Sequence, residues 1–139
     1  MPRNGIVKVG IDEGRKLDVT RPAGAEITMI MDGETQSTTH LSENVTRVKP
    51  GVTLEPVHSH RDIEEIVYVL EGQGRAWIDG STCKIKTGDS VLYPPNSKHT
   101  VTNTGTGTLV LLCFFSTSEY RKPGAYLTHE GEDATRTQR

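Results

Sequence analysis

An all-β fold, closed as a sandwich or barrel, is predicted by three features of the chain. Its apolar segments are short and β-branched, and each is bounded by residues that turn the backbone. No window of a dozen residues between 26 and 115 keeps an apolar stripe at helical spacing. At 139 residues, the chain suits one core and is too short for two ordinary domains.

The elements follow in order. Residues 1–25 read as an N-terminal arm, with a candidate strand at 6–9 and then a polar, charged run, lying on the barrel or on a second subunit. Strands are expected at Glu26–Met31, Asn44–Lys49, Glu65–Leu70, Arg75–Asp79, Cys83–Lys86, Ser90–Tyr93, His99–Asn103 and Thr108–Phe115. Between them stand Pro50-Gly51, Glu71-Gly72, Asp79-Gly80, Thr87-Gly88-Asp89, Pro94-Pro95-Asn96 and Thr104 to Gly107, where Gly and Asn tolerate positive φ and Pro fixes φ. Asp79-Gly80 has the composition of a hairpin corner. The barrel thus occupies residues 26–118. Residues 119–139 form a polar C-terminal extension, partly disordered, in which Gly131 to Arg139 hold no large apolar side chain.

Bulk composition narrows the partners. A formal net charge of −2 supplies no basic field to draw in phosphate backbones, so nucleic acid is not expected, and a small molecule is. No stretch reaches the ~20 apolar residues of a membrane span, and the first ten residues lack a signal-peptide core, so a cytoplasmic protein is expected. Cys83 and Cys113 lie far apart and outside any CxxC spacing; both read as small buried apolar residues and not as a disulfide.

Against this scaffold four residues stand out: His58, His60, Glu65 and His99. Residues i and i+2 of a strand point to one face, so His58 and His60 can aim both imidazoles at one point. His60 and Glu65 are out of phase in an unbroken strand, so Arg61-Asp62 must contain a turn or bulge that resets it. His99 follows the Pro94-Pro95-Asn96 turn, and only folding could bring it to the other three. Three imidazoles and one carboxylate form a mixed N/O donor set that suits one divalent transition metal ion, Fe, Mn, Ni, Co or Zn. Beyond Glu65, Val67 and Val69 suit the interior; Ile66, Tyr68 and Leu70 share the other face and need separate cover, as from a partner or arm.

These residues and their spacing resemble the two sequence motifs of the cupin superfamily. The first, G(X)5HXH(X)3-4E(X)6G, is met by His58, His60, Glu65 and Gly72, and the second, G(X)5PXG(X)2H(X)3N, by Gly88, Pro94, His99 and Asn103. Two departures are visible. Gly51 stands one residue too far from His58, and Asn96 replaces a glycine, a mild change because Asn adopts the left-handed turn most readily after Gly. The resemblance covers residues 51–103 with their flanking strands. It implies a conical β-barrel of the double-stranded β-helix or jelly-roll type, with His58, His60, Glu65 and His99 binding the metal and Glu64 facing away. It also implies a metal-dependent enzyme acting on a small organic molecule, and dimers are common in the family, so a homodimer is expected. Fe(II)-type dioxygenase chemistry is the first reading. The alternatives are a non-redox isomerase, lyase or cyclase on a sugar or carbonyl substrate, and a non-catalytic small-molecule binding module.

Two further residues are candidates for substrate binding. Tyr93, next to Pro94, could project a phenol into the cavity as acid, base or donor, or merely pack. Arg47 could bind a carboxylate as a fork of donors, although alternation favours Val48 as the inward residue and a solvated Arg47. Trp77 and Arg75 share one face of their strand, which reads as an interface, a pocket wall or a covered sheet. His40 and His129, without partners at ligand spacing, read as surface residues.

Overall fold

The computed structural model describes residues 5–17 and 23–134. Among these the chain forms β1 (Arg15–Leu17), β2 (Ala25–Met31), α1 (Gly33–Gln36), β3 (Ser42–Val48), β4 (His58–His60), β5 (Glu65–Glu71), β6 (Gln73–Ile78), β7 (Ser81–Lys86), β8 (Ser90–Tyr93), β9 (His99–Asn103), β10 (Leu109–Phe115) and β11 (Tyr126–Thr128). Two antiparallel sheets result, ordered β1-β2-β3-β10-β5-β8 and β11-β4-β9-β6-β7. This is the expected all-β jelly-roll class, and each predicted strand over 26–115 is present to within a few residues at its ends.

The turns work as their residues require. Asp79 and Gly80 have φ of 47° and 91° and close the β6–β7 hairpin, both in the left-handed region that a two-residue turn demands. Asp62, at φ 55°, makes the break after His60, and Asn96 takes φ 68° where the motif has glycine. Asn96 Oδ1 accepts from the Asp62 amide at 3.0 Å, so the two turns brace each other beside the site. Asn103 is a frame residue. Buried at 1% exposure, it donates through Nδ2 to the carbonyls of Val48 and Gly107, both at 2.8 Å, and accepts from the Gly105 amide at 2.9 Å.

Between the sheets lies an apolar core that includes Val67, Val69, Val101, Leu109 and Leu111. The outer face of the six-stranded sheet is treated in two ways. Over β2, β3 and β10, the N-terminal arm covers Ile30, Val45 and Val110 with Val9 and Ile11. Over β5 and β8 none of the described residues does so: Ile66, Leu92 and Phe114, neighbours by register, are 45%, 50% and 37% exposed, and Leu70 is 41% exposed. The cover that the second face of β5 calls for is therefore missing among the described residues.

Several expectations change. Residues 6–9 form no strand; the arm's strand is β1, three residues long, held to β2. The one-turn helix α1 interrupts the β pattern where Asp32 caps it, its Oδ1 accepting from the Thr35 amide at 2.9 Å. Cys113 is buried as expected, whereas Cys83 is exposed because β7 is an edge strand. The C-terminal extension is built into the fold as far as residue 134. It contributes β11, antiparallel to β4, and then packs Ala134 with Val57 and Trp77, so the Trp77 face is a covered sheet. The rest of the segment expected to be disordered, residues 135–139, lies outside the described residues, as do 1–4 and 18–22 of the arm.

Candidate metal centre

β4 presents His58 and His60 on one face, as alternation requires, and each side of the strand meets a different neighbour. On one side His58 pairs with His99 of β9; on the other His60 pairs with Tyr126 and His58 with Thr128 of β11. The turn at Arg61-Asp62 resets the phase, and Glu65 enters β5 pointing inward at 5% exposure, while Glu64 is exposed. One ring nitrogen from each of His58, His60 and His99 lies within 4.8 Å of the others. Glu65 is brought alongside two of the three, its Oε1 standing 3.2 Å from His99 Nε2 and 3.4 Å from His60 Nε2.

Hydrogen bonds decide which nitrogens are free. His58 Nδ1 lies 3.0 Å from the Pro56 carbonyl and His99 Nδ1 lies 2.9 Å from the Ser97 carbonyl. A carbonyl only accepts, so both Nδ1 atoms carry the proton and both Nε2 atoms keep a lone pair. Such ties orient imidazoles for metal binding. His99 Nε2 and Glu65 Oε1 are buried with no hydrogen-bond partner among the described residues, as is His60 Nδ1. Buried polar atoms without partners are costly, and a cation between His99 Nε2 and Glu65 Oε1 would satisfy their lone pairs. The donor set therefore fits a divalent transition metal.

Electrostatics agrees with a site kept ready for a cation. Burial, then the neighbouring His99 and His60, lowers the His58 pKa to about 3, so the ring stays neutral in ordinary buffers. Burial pushes the Glu65 carboxyl up, but the His60 and His99 rings beside it outweigh that effect and hold the group at about 2. Tyr93 stacks on His99 with ring centroids 4.2 Å apart, and burial keeps its phenol protonated.

A cavity of about 230 Å³ opens from these ligands. Tyr93 is on its wall. Arg47 is not: it faces outward from β3, where its guanidinium meets Asp12 of the arm at 2.9 Å, while Thr46 and Val48 on either side are buried. Several lining residues gave no signal in the sequence. Asn44 and Thr46 of β3, Cys113 of β10 and Tyr120 form a polar run across the floor, with Thr46 Oγ1 donating to Asn44 Oδ1 at 3.0 Å and Asn44 Nδ2 to Tyr120 Oη at 3.2 Å. Arg121 and Tyr126 come from the C-terminal extension. The Tyr126 ring stacks on His58 at 5.3 Å, and the Arg121 guanidinium lies over that same ring at 5.0 Å. His129, expected to be a free surface residue, places Nε2 2.8 Å from Ser59 Oγ on the far face of β4.

Comparison with known proteins agrees with this fold. The family model of the cupin domain matches residues 44–115, just over half of the chain. An uncharacterised protein of Methanocaldococcus jannaschii is 39% identical over 57 residues, covering 41% of this chain and 46% of that protein, so the match spans under half of the relative. Among solved structures, a predicted oxalate decarboxylase from Thermotoga maritima superposes with a TM-score of 0.68 at 23% identity, over 80% of this chain and 99% of that one. Lactobacillus farciminis oxalate decarboxylase, in a formate complex, gives 0.71 at 18%, over 84% and 34%. A recombinant oxalate oxidase in complex with glycolate gives 0.67 at 21%, over 80% and 58%. At these identities the likeness is one of fold.

Proposed function

Because this chain belongs to the cupin family, we propose that it is a metal-dependent enzyme acting on a small organic molecule, with His58, His60, Glu65 and His99 holding one divalent transition metal ion. The observation that carries the reading is the convergence of three imidazoles, two with their Nδ1 atoms tied to carbonyls, with the buried Glu65 oxygen beside two of them. Fe(II)-type dioxygenase chemistry is the first choice: an ion there would supply adjacent open positions for an oxygen-chelating substrate and for dioxygen. The chain's own part is to orient and to exclude water. Val67, Leu111 and Phe115 line a dry side of the cavity, and Tyr93 is fixed against His99 as a proton donor. That buried donor also favours a second reading, a non-redox isomerase or lyase in which Tyr93 hydrogen-bonds a substrate carbonyl.

Elemental analysis of protein purified without added metal should find about one transition metal ion per chain, and His99→Ala should reduce it to near zero. An empty wild-type site that accepts no added Fe, Mn, Co, Ni or Zn would end the metal reading. Oxygen uptake with catechols, diketones and thiols, set against anaerobic isomerisation of sugars, separates the first reaction class from the second.

A further inference from the structure

The cavity mouth carries a cation that the metal reading does not use. Arg121 lines the cavity, and no carboxylate among the described residues lies within ion-pair distance of it. Its head group is held over the Tyr126 ring, which is itself stacked on His58, so the guanidinium is two ring contacts from a proposed ligand. Cation–π contact steadies a guanidinium without using its N–H donors, and these stay available to a ligand. Among the described residues, the other charged side chains that reach the cavity beyond the ligand set are Glu55 and Glu130, both acidic. Among the described residues, Arg121 is therefore the place for an anion to settle outside the metal position.

We propose that Arg121 binds a carboxylate at the distal end of the substrate, and that Tyr126 positions it there. The planar fork matches a carboxylate through two parallel hydrogen bonds. A more highly charged phosphate would meet the acidic Glu55 across the same cavity. The cavity, about 230 Å³, is of a size for a small molecule. Resting on the metal reading, this assigns the substrate class: a small acid whose oxygen pair faces the histidines and whose second carboxylate faces Arg121.

The test is calorimetric titration of the full chain, manganese-loaded, with four- and five-carbon 2-oxo and 2-hydroxy diacids, each against its distal amide, and with 3-phosphoglycerate. Wild-type protein should bind the diacids at least tenfold more tightly than the amides. Arg121→Gln should remove that preference at unchanged metal content, and Arg121→Lys should keep part of it. Equal binding of acid and amide by wild type, a preference surviving in Arg121→Gln, or no binding of any diacid would overturn the proposal. Tighter, Arg121-dependent binding of 3-phosphoglycerate would overturn the carboxylate class. Should the protein hold no metal, the metal reading fails by itself; propionate against propionamide on metal-free protein then scores Arg121 separately, with loss of discrimination in Arg121→Gln as the supporting result and no discrimination by wild type as the refuting one.

Discussion

At the scale of single residues, the His58 ring is the most sensitive to conditions. Its pKa falls from the usual 6.5 to about 3 on folding, so between those values the unfolded chain binds the extra proton. Stability of the metal-free protein is then complete above pH 6.5 and declines on acidification toward 3, with a slope of at most ~1.4 kcal/mol per pH unit from this group. Glu65, lowered from 4.5 to about 2, adds a second loss of the same sign between those values. Urea midpoints of chelator-treated protein from pH 7 to 4 should fall, and His58→Asn should flatten the curve between 6.5 and 4.5; an unchanged slope would show that His58 is not buried neutral. Asn103 is the residue whose loss should cost most outside the ligand set. Asn103→Ala leaves the Val48 and Gly107 carbonyls and the Gly105 amide without their side-chain partner, an expected cost of about 2–4 kcal/mol in chemical denaturation.

At the scale of elements, β11 separates what could be read in the sequence from what could not. His58, His60, Glu65 and His99 lie in short motifs whose spacing and turn residues are local facts, and the positive φ at Asp62 and Asn96 follows from local chemistry. Arg121 and Tyr126 have no such signal. Their segment is polar and short of apolar residues, so composition argues for a solvated tail, and only the register of β11 on β4 brings Tyr126 to the cavity, with Arg121 in the turn before it. Arg47 is the converse case. Its chemistry suits a carboxylate, but alternation turns it outward and Asp12 claims it. The segment around β11 is fixed by the Ser59–His129 contact at 2.8 Å and by Lys98 Nζ on Glu132 at 2.7 Å. Ser59→Ala should cost about 1 kcal/mol and speed amide exchange at Tyr126 and Thr128, leaving β5 and β10 protected. Uniform acceleration would mean that β11 opens only with the whole fold.

At the scale of the whole molecule, the uncovered row Ile66, Leu92 and Phe114 sets the expected assembly state. A contiguous apolar patch on a sheet whose other half is roofed by its own arm is suited to a second copy of the chain. Light scattering should give twice the chain mass, and Ile66→Lys with Leu92→Lys should halve it without changing metal content. A wild-type monomer at ~100 μM would refute the dimer.

The short strand β4 has a consequence for how the protein comes into being. Neither of its hydrogen-bonded neighbours is near it in the chain: one edge waits for His99–Asn103 and the other for Tyr126–Thr128. A polypeptide leaving the ribosome N-terminus first therefore displays two imidazoles long before anything fixes their direction, and the roof of the cavity arrives last. Which ion is finally enclosed is then a matter of history as well as geometry, because a half-assembled site follows the general affinity order of divalent metals and not the selectivity of the finished one. Refolding in a zinc and manganese mixture should consequently trap more zinc than loading the folded protein from the same mixture.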